Sequence, residues 1–135
     1  MTYTIDLFPD AEAAVSIVLR AAIPGARVYS SVPRSPTYPL VRVSRVGGTA
    51  VVPRRLDAAD VQIDVWADKK SEARTLAAQV RQALLSTEGL AVTIPSGNAI
   101  VTGVDEVIGL SSVPDAANPP KDRYLAQYRV YLHAA

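Results

Sequence analysis

No cysteine occurs among the 135 residues. That excludes disulfide frameworks, thiolate zinc sites, iron–sulfur clusters and cysteine nucleophiles together. It leaves the redox compartment open, since a chain without thiols is indifferent to it. Histidine is almost as scarce: His133, close to the C-terminus, is the single example. A general base needs a fixed position and an orienting partner, so His133 is expected to be exposed and idle. A histidine-based zinc site would need more ligands than one. No Gly-x-Ser-x-Gly elbow is present. Gly47-Gly48 lacks the Gly-x-x-x-x-Gly-Lys spacing of a phosphate loop, and no helix follows it to present backbone N–H groups. The expectation is a protein that is not an enzyme, with no catalytic residue, no bound metal and no cofactor.

An excess of charge of either sign is also missing. Fourteen basic residues stand against 13 acidic ones, for a net +1. Such a balance produces no global field to steer the chain onto nucleic acid or an anionic membrane. No apolar run approaches the length of a membrane span. No basic region precedes the first apolar stretch, and Asp6, Asp10 and Glu12 lie where a secretion signal avoids acids. A soluble product made in the cytoplasm is expected, without membrane contact or sequence-specific nucleic-acid binding.

What is present is enough apolar material for a core: 49% hydrophobic against 20% charged residues. A single domain over residues 1–135 is expected. Phe8-Pro9-Asp10 signals a helix start, with Val15, Val18, Leu19, Ala22 and Ile23 as its apolar stripe, and Pro24-Gly25 stops it. Residues 26–32 read as a short strand. Pro33, Pro36 and Pro39 then define a loop, because three missing donors are incompatible with a central strand. Leu40 to Val46 alternates as a strand, broken by Gly47-Gly48. Thr49 to Leu56 is either the tip of a long hairpin or a mobile loop.

The clearest alternation runs from Asp60 to Ala67. Val61, Ile63, Val65 and Ala67 share one face, and Gln62, Asp64 and Trp66 the other. A second helix is predicted from about Ser71 to Ser86, buried through Ala73, Leu76, Ala77, Val80 and Leu84. Strands follow at Leu90–Ile94, Ile100–Leu110 and Tyr124–His133, with a turn at 95–98 and a loop at 111–122. On the last strand Tyr124, Ala126, Tyr128, Val130 and Leu132 face one way, and Gln127, Arg129, Tyr131 and His133 the other.

Two helices serving five or six strands without regular alternation imply an α+β fold, a mainly antiparallel β-sheet with two α-helices packed on one face. The other face then carries Gln62, Asp64, Trp66, Arg129 and Tyr131, too mixed for a core and too aromatic for a plain solvated surface. Asp60 and Asp64 share that face. A row of this kind more often pairs with arginines than holds a cation. Asp105 and Glu106 should point to opposite faces. Among the short basic groups, Arg54-Arg55 is the best candidate for a nucleic-acid contact, though a solvated loop or an ion-pairing protein contact is the favoured reading.

Three segments in this order are familiar: an N-terminal helix leading to ARVYSSVPRSPTYPLVRVSRVGG, then DVQIDVWADKKSEARTLAAQVRQALL, then YLAQYRVYLHAA closing the chain. The chain resembles the small tail-terminator, or tail-completion, proteins of long-tailed bacteriophages. The resemblance rests on order, length and pattern over most of the chain, not on an invariant motif. It implies a structural virion assembly protein at the head-proximal end of the tail. Such a protein forms a ring, hexameric by resemblance, that caps the tail tube, stops its polymerisation and offers a docking surface to the head. The implied partners are copies of itself, the major tail tube protein and a head-completion or connector protein.

A ring needs heterologous contacts, each with an anchor and a polar rim. Trp66 is the candidate anchor; the alternative is that it packs within one subunit under the 68–71 corner. Asp64, Gln62, Arg129, Tyr131, Arg54 and Arg55 are the further candidate interface residues. The segments 47–56 and 111–122 are candidates for contact with the tube. Two other functions remain as alternatives, a head-completion or neck adaptor on the portal and a small ligand-binding α+β domain, the latter requiring a concave apolar pocket with convergent polar groups.

Overall fold

The computed structural model of the chain describes residues 8–52, 55–113 and 121–135. Its elements run α1 (Ala11–Ala22), β1 (Arg27–Tyr29), β2 (Leu40–Val52), β3 (Leu56–Ala67), α2 (Lys70–Leu85), β4 (Leu90–Ile94), β5 (Gly97–Ser112) and β6 (Asp122–Ala134). The six strands form one sheet in the order β1-β2-β3-β6-β5-β4. Every pairing is antiparallel except the short β1–β2 edge, which is parallel. The fold is α+β, with both helices against one face.

Local chemistry starts and stops the helices. The Asp10 carboxylate accepts the Ala13 N–H at 3.2 Å, satisfying one donor the first turn leaves unpaired. At the end of α2, the buried Thr87 hydroxyl donates to the Leu84 carbonyl at 2.6 Å, and Gly89 turns the chain with φ +79°. The stripe of α2 is buried as the spacing predicts, through Ala73, Leu76, Ala77, Val80 and Leu84. In α1 the expected stripe is largely kept: Val15, Leu19 and Ile23 are buried and Val18 packs against the core, whereas Ala22 is exposed. Ala11, Ala14 and Ser16 are buried in addition, where α1 lies against β1, β2 and β4.

The core lies between the helices and alternate residues of the two central strands. Val61, Ile63, Val65 and Ala67 of β3 and Tyr124, Ala126, Tyr128, Val130 and Leu132 of β6 all point into it. These are the faces the alternation assigned.

The double glycine does not end β2. The strand continues to Val52 and pairs with β3 along its whole outer half, so Thr49–Leu56 belongs to a long hairpin. Two irregularities make this possible. A register shift lies between Arg45 and Gly47, and Gly48 adopts φ +100°. A Cβ at Gly48 would sit 2.0 Å from the Ala58 carbonyl oxygen. The glycine is needed for close approach of the strands rather than for a turn. At the same shift the Arg45 N–H is taken by the Glu12 carboxylate of α1 at 2.7 Å, which ties the helix to the sheet edge. The Arg45 guanidinium grips the buried Asp57 with two contacts, at 2.5 and 2.9 Å.

Gly48→Ala is expected to destabilise the protein by about 2 kcal/mol or more, from positive-φ strain and the clash with β3. Gly25→Ala, where no atom lies within 4 Å, should change stability by less than about 0.5 kcal/mol. Urea denaturation of the two variants measures the contrast, and equal midpoints would refute the close-approach account.

Tyr128 provides a second test. It is fully buried, and its hydroxyl has no hydrogen-bond partner among the described residues. Burial pushes its pKa up from 10.0 to about 12, with Glu106 adding to the effect and Arg81 opposing it. Only the unfolded chain ionises readily, so the associated stability is complete below 10.0 and is lost as pH rises toward about 12. Tyr128→Phe is expected to be at least as stable as the parent at pH 7. It should also show a smaller alkaline loss of stability, measured by urea denaturation as a function of pH.

Candidate functional site: the open face of the sheet

The face turned away from the helices is built around Asp64. The residue sits in the middle of β3 with no solvent exposure. Register places Arg42 of β2 directly opposite on one side, and Arg123 of β6 opposite the adjacent Trp66 on the other. Arg42 Nη2 reaches one carboxylate oxygen at 2.9 Å, and Arg123 Nη2 reaches the other at 2.5 Å. Gln62 Nε2 adds a third donor at 3.1 Å. Both oxygens are thus fully engaged, which is what a carboxylate cut off from water requires.

The same two guanidiniums lie 5.4 and 5.5 Å from the centroid of the Trp66 ring. Trp66 is 7% exposed and Leu40, its neighbour in register, 1%. These two large side chains are buried outside the main core cluster, with the two guanidiniums against the Trp66 ring. At the rim, Lys121 pairs with Asp68 and lies 4.8 Å from the Tyr38 ring.

Further along the face, Arg129 binds Asp60 at 2.9 Å, and the Tyr131 hydroxyl donates to Asp105 at 3.1 Å. Asp60 raises the pKa of Arg129 through that hydrogen bond. The acid row is therefore an arginine-paired face. Glu106 points to the other side, where Arg81 of α2 meets it at 2.5 Å. The His133 ring contacts only the Ala134 carbonyl among the bonds of the described residues.

Of the interface candidates, Gln62, Asp64 and Trp66 are brought together, with Arg129 and Tyr131 as a second group on the same face. Arg55 stands apart, exposed at the end of the hairpin. Arg54 and most of the 111–122 segment lie outside the described residues. Sequence reasoning did not assign Arg42, Arg123 or Leu40 to this site. Alternation does give each a face, but only the register between strands reveals that both arginines converge on one carboxylate.

Among the described residues, no three His, Cys, Asp or Glu side chains cluster closely enough to hold a metal ion. No helix among them is long and apolar enough to cross a membrane. A cleft of about 600 Å³ opens between the end of α1 and α2, beside Ile23, Pro39 and Leu76. The polar side chains lining it, Ser71, Glu72, Thr75 and Gln79, all come from α2 and do not converge from several elements as ligand-fixing groups do.

The architecture defines an α+β protein with a buried helical layer on one side of its sheet and a pre-ordered charged face on the other. The particular family is given by sequence: residues 7–133 match the phage tail termination protein family, and the chain belongs to it. It is a structural protein of tail assembly. A chain in the virion of a native gene transfer agent particle shares the fold, with a TM-score of 0.58 at 18% identity, over 98% of this chain and 100% of that one. A second solved structure, 17% identical over 88% of this chain and 89% of its own, has a TM-score of 0.47, too low to carry an argument. No curated protein matches the chain.

Asp64→Asn should leave two arginines facing a neutral amide. The expected cost is about 2–4 kcal/mol, the lower end reflecting the partial exposure of the arginines. Equilibrium unfolding followed by the fluorescence of the sole tryptophan reads it directly. A loss below about 0.5 kcal/mol, the size of an ordinary surface substitution, would show that the cluster is not what holds this face.

Proposed function

We propose that the protein is a ring-forming tail terminator. Copies of it, six by family resemblance, cap the finished tail tube at its head-proximal end, stop polymerisation and present a surface to the head's connector. No substrate is turned over in this role. The observation that carries the reading is the family match across nearly the whole chain.

Two physical features support it. The Arg42–Asp64–Arg123 network and the Trp66 stack are in place before any partner arrives, so docking there costs little side-chain ordering. The outer halves of β2 and β5 have no strand neighbour on one side among the described residues, and both carry exposed apolar side chains. Open strand edges of this kind suit contacts between copies and with a tube. Residues 62, 64, 66, 129 and 131 are proposed as part of the docking face, with Trp66 as a rigid element of that face rather than a freely protruding anchor.

The test is the tail-length distribution, by negative-stain electron microscopy, in particles produced without this gene. Overlong tails of uneven length, detached from full heads, are expected. Tails of normal length that fail to join, or heads that leak DNA, would assign the protein to the neck instead. Infectious particles with ordinary tails would refute a role in assembly at this step.

A further inference from the structure

Two stretches of the sheet stand uncovered, and they differ in charge. The first is the outer half of the β2–β3 hairpin. Val46, Val51 and Val52 are 51, 54 and 42% exposed. Arg55 beside them is exposed and makes no ion pair among the described residues. The second is the outer half of β5. β4 ends its pairing opposite Val101, so from Thr102 onward β5 has β6 on one side and no strand among the described residues on the other. Val107 and Ile108 are 44 and 41% exposed there. Asp105 next to them takes a hydrogen bond from Tyr131 but pairs with no cation among the described residues.

The strand order puts these stretches at opposite edges of the sheet. The hairpin's outer end lies level with Asp57 and Leu132, whereas Asp105 and Ile108 lie level with Arg129 and Gln127 of β6, midway along β3. An apolar tip with a spare positive charge and an apolar edge with a spare negative charge thus occur once each on every copy. A two-fold contact centred on either patch would bring like charges together, and one that paired the two patches reciprocally would need both on one side of the molecule, whereas they lie at opposite edges. With the patches at opposite edges, a head-to-tail contact pairs unlike charges while covering both apolar sets, and repeated head-to-tail contacts form a ring where the rotation closes.

We propose that the β2–β3 hairpin of one copy docks on the outer half of β5 of the next, with Arg55 facing Asp105 and Val51 and Val52 covering Val107 and Ile108. This rests on the ring reading above and names the surfaces that make the ring.

The absence of native cysteine allows a clean test. Val52→Cys and Val107→Cys are made as separate single variants at exposed positions, mixed, and treated with a short bis-maleimide across a concentration series. Mixed dimers, joining position 52 of one variant to position 107 of the other, are expected to exceed both self-linked species. A chain carrying both substitutions should give a ladder of multimers. As a second handle, Arg55→Glu or Asp105→Arg alone should lower the mixed dimer about two- to fivefold, and the two changes placed on opposite partners should restore it. Self-linked dimers in excess would overturn the proposal in favour of a two-fold contact. Rings visible by electron microscopy without the mixed cross-link would overturn the assigned surfaces while leaving termination intact. Neither rings nor cross-links at any concentration would overturn the proposal as well, and the tail-length measurement then decides termination separately.

Discussion

A carboxylate shut away from water has to be satisfied by its neighbours, and Asp64 imposes that requirement at the centre of the sheet. It lies on β3, which is flanked by β2 and β6. Its two oxygens draw one arginine from each of these strands. Those arginines then lie against the Trp66 ring. One buried charge therefore organises three strands on the face the helices do not cover. Partner removal is costly at such a site even where the intact pair adds little net stability, because the remaining charge keeps its desolvation penalty. The cluster is better understood as a device for a unique strand arrangement than as a source of net stability.

The rest of the molecule divides along the strands. Where β3 and β6 lie between the helices and the arginine-lined face, both sides are packed and the backbone ladder is continuous. Toward the outer halves of β2 and β5, each strand loses its neighbour on one side among the described residues and the register slips repeatedly. Bulges of this kind are a common protection for exposed strand edges, since they spoil the flat template that indiscriminate pairing needs. Contact at such irregular edges depends on side-chain complementarity and not on backbone pairing alone.

Much of this was legible in the chain. Period-two alternation in Asp60–Ala67 and Tyr124–His133 identified the two central strands and their buried faces, since a half-buried strand has no other way to segregate its side chains. Helical spacing identified the α2 stripe residue by residue. Gly47-Gly48 misled: in a sequence, paired glycines read as a break, whereas here they allow a bulged strand to pass close to Ala58. In α1 the spacing found Val15, Leu19 and Ile23 but not Ala11, Ala14 and Ser16, small residues whose burial depends on how closely the strands approach the helix. The arginine pairing of the acid row was foreseeable as a type, but its members were not, because Arg42 and Arg123 stand 22 and 59 positions from Asp64.

The sequence by itself determined the α+β class, the faces of the central strands, and the family to which the chain belongs. These depend on local periodicity and on order along the chain. Tertiary structure alone decided that Trp66 lies against two guanidiniums, that Asp64 is fully buried, and that the basic tip and the acidic stretch lie at opposite edges of one sheet. The physical reason is register. Alternation assigns a residue to a face, but only the alignment of neighbouring strands decides which side chains on that face meet, and a shift of one residue would replace every one of those partners.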